Sequence, residues 1–253
     1  MSEENNSETV VKGEVVSTSS MLTVKDLLIP ISIVVAGLFV GAGLYFGGAP
    51  MAPDKEEVII QPVVGGVSEL AKAAGVKEKA FDECVNNGDT VAVVETQMED
   101  AFETGGRGTP WSILIGPNGK KYPVNGALPL ASIKQLVEVA KAEAAEGPGS
   151  SEEELAYENM DPVTESDNIK GNPDAGIVIV EYSDFDCPFC TRFHATMNQV
   201  VKEYDGEVAW VYRHFPLEQL HPNAKSVAIA SECVAKLEGN DAFWKFADSY
   251  LSN

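Results

Sequence analysis

The segment GIVIVEY, from Gly176 to Tyr182, is followed after a short turn by Cys187-Pro188-Phe189-Cys190, and this arrangement limits the folds open to the chain. A β-branched run that is apolar at consecutive positions reads as a central strand covered on both faces. Beyond the cysteines, Phe193, Met197, Val200, Val201 and Tyr204 recur at helical spacing. Pro188 stands in the first turn of that helix, where proline is best tolerated. Both sulfurs therefore belong to a helix N-terminus, whose free N–H groups and dipole stabilise an anion. Glu207–Arg213 reads as the next strand, and Pro222–Leu237 and Asp241–Tyr250 read as helices. Two strands and a crossover leave unpaired edges and do not make a stable fold by themselves.

The earlier sequence offers the missing parts. Ser68–Ala74, Lys77–Asn86 and Asp89–Glu103 read as short helices. Thr109-Pro110 precedes a strand at Trp111–Ile115. A turn signal at Pro117–Lys120 and a second strand at Lys121–Val124 follow, and an amphipathic helix at Leu130–Ala142 completes the set. Between the two groups, residues 143–166 hold eight acidic side chains, no basic one, and Gly147-Pro148-Gly149. That composition reads as a linker between globular pieces at 65–142 and 167–253.

Residues 1–26 are polar and acidic and read as a disordered tail. Leu27–Phe46 is apolar and uncharged, and twenty residues at about 1.5 Å each cover a hydrocarbon core of roughly 30 Å. A cleavable signal has a shorter apolar stretch and a small-residue site, so a retained anchor is expected, with residues 47–64 as a spacer. Lys12 and Lys25 precede the span and Lys55 follows it, a weak bias toward an external C-terminal part. The net charge of −21 excludes nucleic acid as a partner and a polybasic grip on anionic lipid.

The dithiol spacing points to redox chemistry. Cys187 is the expected nucleophile, with a pKa below the ordinary value of about 8.5, and Cys190 resolves the mixed disulfide. A zinc site would need two more ligands, and His194, His214 and His221 form no ligand pair, so no metal is expected. His194, one turn after Cys190, is expected to pack rather than act as a base. Asp184 and Asp186 are expected to oppose a thiolate beside them.

EYSDFDCPFC, together with GRGTPWSILIGPNGKKYPVNGA, resembles the DsbA-like branch of the thioredoxin superfamily, thioredoxin folds with a helical insertion. The resemblance covers about 165 of the 253 residues. It implies an α/β thioredoxin-like fold here preceded by one transmembrane helix. In that family the dithiol half comes first, so this chain looks circularly permuted, with the break inside the insertion. Two rival arrangements are halves of two different domains and halves exchanged between chains.

The resemblance assigns Thr109 and a cis Pro110 to face the dithiol and bind substrate backbone, where the residues alone allow an ordinary trans proline. Pro188 and Phe189 would add substrate contacts, and Phe189 replaces the His of strongly oxidising relatives. Glu181, six residues before Cys187, matches a buried acid that moves the proton of Cys190, although strand alternation also permits it to face solvent. Cys84 and Cys233 fall in the implied insertion, where they would form a structural disulfide or sit as two small buried residues.

The implied activity is that of a membrane-anchored extracytoplasmic thiol:disulfide oxidoreductase. It would need no cofactor, act on protein thiols or disulfides, and exchange electrons with a membrane redox partner. The alternatives are a disulfide reductase or isomerase, and a non-catalytic peptide-binding module.

Overall fold

The computed structural model describes residues 66–144 and 155–252. The expected tail at 1–26, the apolar segment Leu27–Phe46 and the spacer at 47–64 lie outside the described residues. Among the described residues, no helix is long and apolar enough to cross a membrane.

In chain order the elements are α1 (Val67–Ala74), α2 (Glu78–Asn87), α3 (Val91–Glu103), β1 (Trp111–Ile115), β2 (Lys121–Asn125), α4 (Leu130–Glu143), a single 3₁₀ turn (Ala156–Asn159), β3 (Asn168–Lys170), β4 (Ile177–Ser183), α5 (Pro188–Glu203), β5 (Val208–His214), α6 (Ala224–Glu238) and α7 (Asn240–Tyr250). The strands form one sheet in the order β2-β1-β4-β5-β3. β4 pairs in parallel with β5 and antiparallel with β1, so strands from both segments of the chain complete one sheet.

The central position of β4 follows from its sequence, because both of its faces are buried. Ile177 and Ile179 join Trp210, Tyr212, Leu114, Phe193 and Met197 in a large core on the side of α4 to α7. Val180 and Tyr182 turn the other way, against Ala101, Trp111, Ile113, Val211 and Phe215. This period of two sends Glu181 to the first face, under α5, and Arg213 to the second, against α3. Gly126 and Gly171 take positive φ at strand ends (77° and 98°), and a Cβ on Gly171 would meet the Val208 carbonyl oxygen at 3.0 Å.

Both ends of the stretch expected as a linker, 143–166, belong to the fold. Glu143 closes α4, and residues 155–166 pack against the fold. Met160 is buried in the second core, and the Asp161 N–H donates to Asp100 at 2.9 Å. Met160, with Tyr157 and Val163 packed on the same core, and backbone hydrogen bonds to Asp100 and Arg213 dock this acidic stretch, a signal that composition does not carry. Strand β3 has no counterpart among the expected elements: it is three residues long and pairs at the edge of β5.

Cys84 of α2 and Cys233 of α6 are joined by a disulfide that closes a 149-residue separation and ties one segment to the other. Replacing both by alanine should lower stability by about 2–4 kcal/mol, by freeing the unfolded chain. Urea unfolding of the oxidised protein measures this. A loss within error of zero would mean that packing of α2 on α6 alone fixes this junction.

Candidate active site

Cys187 is the N-cap of α5 and Pro188 its first residue, so the sulfur sits at the open end of the helix. Both cysteines are free, Cys187 3% exposed and Cys190 fully buried. The Cys187 thiol is lowered to about 5. The hydrogen bond from Cys190 is the largest cause, and burial opposes it; Thr109 and the N–H groups of Cys190 and Phe189 add to the lowering. Cys190 moves the opposite way, raised by burial, by its bond to Cys187 and by the charge of Glu181. The pair therefore divides into an anionic outer sulfur and a protonated inner one.

The loop before β1 closes over the dithiol. Thr109–Pro110 is a cis peptide, and Cys187 Sγ lies 3.5 Å from the Thr109 carbonyl oxygen. The loop is held by Trp111 Nε1 donating to Thr104 Oγ1 at 3.1 Å and by Arg107 donating to the carbonyls of Phe102 and Gly106. The structure thus brings Thr109, Pro110, Cys187 and Cys190 together although 77 residues separate Pro110 from Cys187 in sequence.

Glu181 is fully buried on the dithiol face. Its carboxyl accepts from Ser183 Oγ at 2.6 Å and from Trp210 Nε1 at 2.9 Å. Burial raises its pKa to about 8, against the two hydrogen bonds, and the Cys187 charge adds to the rise. Such a group is a neutral acid at pH 7 that can give or take one proton below Cys190. Phe189 is 52% exposed beside the dithiol, with the Arg192 guanidinium 4.7 Å from its ring centroid. Pro188 is exposed in the same turn. His194 is buried, edge-on to Trp210, and bonded to Asp248 at 2.8 Å; burial lowers its pKa despite the carboxylate. It packs.

The two acids expected to oppose the thiolate, Asp184 and Asp186, are each held by hydrogen bonds. The Asp184 carboxylate is buried and accepts from the N–H groups of Asp186 and Leu217 and from His221 Nδ1, each at 2.8–2.9 Å. Asp186 accepts from the Tyr250 hydroxyl at 2.6 Å. Neither carboxylate is left unpartnered beside the thiolate. Sequence reasoning misses His221 and Tyr250 because both come from the distant helical region, at separations that no local pattern marks. Leu220, next to His221 and 72% exposed, adds apolar surface. Among the described residues, no group of three or more His, Cys, Asp or Glu side chains is placed to hold a metal.

Residues 163–253 match the family described as thioredoxin. The chain is also similar to curated proteins named Na(+)/H(+) antiporter NhaA. NhaA 1 of Mycolicibacterium gilvum is 44% identical over 94 residues, 37% of this chain and 14% of that protein. NhaA 3 of Salinispora tropica is 34% identical over 94 residues, with the same coverage, and NhaA of Herminiimonas arsenicoxydans is 33% identical over 89. The chain therefore spans about a seventh of the length of these relatives. No solved structure matches it. The α/β sheet with flanking helices fits a thioredoxin-like fold, and the family match over residues 163–253 supports a thioredoxin-superfamily domain there.

Proposed function

We propose that this chain is a membrane-anchored, extracytoplasmic thiol:disulfide oxidoreductase of the DsbA-like branch that forms disulfides in exported proteins. Its domain halves are circularly permuted, and Leu27–Phe46 is the anchor. The observation that carries the reading is the split dithiol: a Cys187 thiol lowered to about 5 at a helix N-terminus, facing the Thr109–Pro110 loop. Support for the permutation comes from the strand order. Read from β4 through α7 and then from α1 to α4, the elements run β-α-β, helices, β-β-α, and α1 packs against α7. The antiporter name belongs to proteins of which this chain matches a seventh, and transport is not part of the reading.

In the oxidised enzyme, a substrate thiolate attacks Cys187 Sγ. The Cys187–Cys190 bond breaks, and the electron pair leaves with Cys190. A buried Cys190 thiolate is unfavourable, so the proton of Glu181 passes to it. A second substrate thiolate then attacks the substrate sulfur of the mixed disulfide and expels Cys187. The substrate has lost two electrons and the dithiol has gained them, to be passed to a membrane oxidant. Cys187 is a good leaving group because its thiolate is stabilised, which favours oxidation of substrate over reduction. The backbone of Thr109 pairs with the substrate strand, and Phe189 and Pro188 meet its apolar side chains.

Equilibrating the full chain with glutathione buffers tests this. One two-electron couple at about −120 to −200 mV is expected, whereas about −270 mV would favour the reductase alternative. The reduced protein should show a thiolate absorbance at 240 nm that titrates near pH 5. Cys187→Ser should abolish turnover; a wild type without turnover whose Cys187→Ser variant keeps its partner would leave only the peptide-binding module.

A further inference from the structure

Any part that Asp184 and His221 play in the chemistry rests on the redox function of the dithiol, which by itself leaves both residues unused. Asp184 is joined to both cysteines through its backbone: its carbonyl accepts from the Cys187 N–H at 3.1 Å, and its own N–H lies 3.5 Å from Cys190 Sγ. Its side chain is fully buried. A carboxylate so deep, one turn of chain from a thiolate, needs a counter-charge. Among the described residues, its one ion pair is with His221, at 2.8 Å, from the loop between β5 and α6. The same loop gives Asp184 the Leu217 N–H, so two donors from one segment seat the carboxylate. The groups that face His221 are Asp184 and Asp186 from the β4–α5 turn and Cys187 from α5, while Tyr250 of α7 reaches it only through Asp186.

We propose that His221 is a positioning residue for the dithiol: its imidazolium, seated on Asp184, cancels that carboxylate beside Cys187 and favours the reduced pair, so that oxidising power falls as His221 loses its proton. It provides from another element the positive charge that Phe189 does not. Burial opposes a charged imidazole here, but the Asp184 hydrogen bond and the charges of Asp184, Cys187 and Asp186 outweigh it and raise the pKa above 6.5. In the disulfide form the Cys187 charge is gone, so His221 holds its proton less tightly. Reduction therefore takes two electrons, one proton onto Cys190, and part of a second proton onto His221. Between the two His221 pKa values the potential falls more steeply with pH than the dithiol alone would give.

The test is the glutathione equilibrium of the full chain from pH 5.5 to 9 for wild type, His221→Gln, Asp184→Asn and the double variant. Gln keeps an N–H for Asp184 and removes the charge. At pH 6, His221→Gln should shift the equilibrium toward the disulfide form by roughly tenfold, about 30 mV for a two-electron couple. The difference should vanish toward pH 9, where wild type has lost the same charge. Removing Asp184 as well should bring the equilibrium back to within about twofold of wild type, because both charges are then absent. The 240 nm titration of Cys187 should move upward in His221→Gln and return in the double variant.

A merely structural His221 would not produce this pH-dependent, mutually cancelling pattern. An unmoved potential at pH 6 in His221→Gln, with wild type cycling normally, overturns the proposal and leaves the redox function intact. A wild type without a two-electron couple overturns both. Should His221→Gln not fold, Asp184→Asn decides: without the carboxylate His221 gives up its proton at lower pH, so the steep segment should move to lower pH, and a segment that stays where wild type has it would sink the idea.

Discussion

Arg213→Met should destabilise the protein by about 3–5 kcal/mol, because it leaves two buried carboxylates without a counter-charge. Arg213 is 3% exposed and donates to Asp100 Oδ2 at 2.7 Å, to Asp167 Oδ1 at 2.8 Å and Oδ2 at 3.1 Å, and to the carbonyls of Asp161 and Pro162 at 3.0 Å. The Tyr182 hydroxyl donates to the same Asp100 oxygen at 2.5 Å. One guanidinium thus joins α3, β4, β5 and the segment after the 3₁₀ turn. Burial disfavours its charge, but Asp167 outweighs this and holds its pKa above the ordinary value, while burial and Asp100 raise Tyr182. The competing effect is water. A cleft of about 470 Å³, lined by Thr96, Gln97, Thr164 and Ser166, borders the network. The Arg213 and Asp100 side chains are only 4% and 3% exposed, so screening from the cleft is small. Urea unfolding at pH 7 measures the loss. The triple variant with Asp100→Asn and Asp167→Asn should recover part of it, since a neutral network needs no counter-ion. A loss under about 1 kcal/mol would mean the network is hydrated like a surface pair.

The same network shows why part of the fold is legible in the sequence and part is not. β4 and β5 are readable because their apolar runs record burial on both faces, and the dithiol helix because proline, cysteine spacing and the 3.6-residue period agree. Glu181 is ambiguous, since alternation alone names two faces without saying which is covered; the covering helices supply that answer. Arg213 and Asp100 give no signal, being 113 residues apart and joined by hydrogen bonds that have no period. Asp184 misleads for the same reason: its charge is visible in EYSDFDC, but its partner His221 is 37 residues away. Short edge strands such as β3 and docked acidic segments such as Asp161–Asp167 depend on neighbours, and local composition is blind to them.

Glu181→Gln should make the protein more stable at high pH and slower in turnover. The carboxyl has a folded pKa of about 8, against about 4.3 in an unfolded chain. Between these values the folded state holds a proton that the unfolded state has released, so stability falls as pH rises from about 4.5 through 8. The accumulated loss above that window is on the order of 4–5 kcal/mol. Glutamine has the same shape, can accept from Trp210 Nε1 and donate to Ser183 Oγ, and carries no charge at any pH. Unfolding of the proteins with the Cys187–Cys190 dithiol reduced should therefore give similar stabilities at pH 5 and a widening gap in favour of the variant up to pH 9. A gap that does not change with pH would place a charged, hydrated Glu181 in the native protein. The kinetic effect runs the other way. Glutamine has no proton to give the departing Cys190, so oxidation of a dithiol peptide should slow by about 100-fold or more at pH 7. A residue that serves only stability would not improve it when removed, so a variant both more stable above pH 5 and slower in oxidation would mark Glu181 as the proton donor to Cys190.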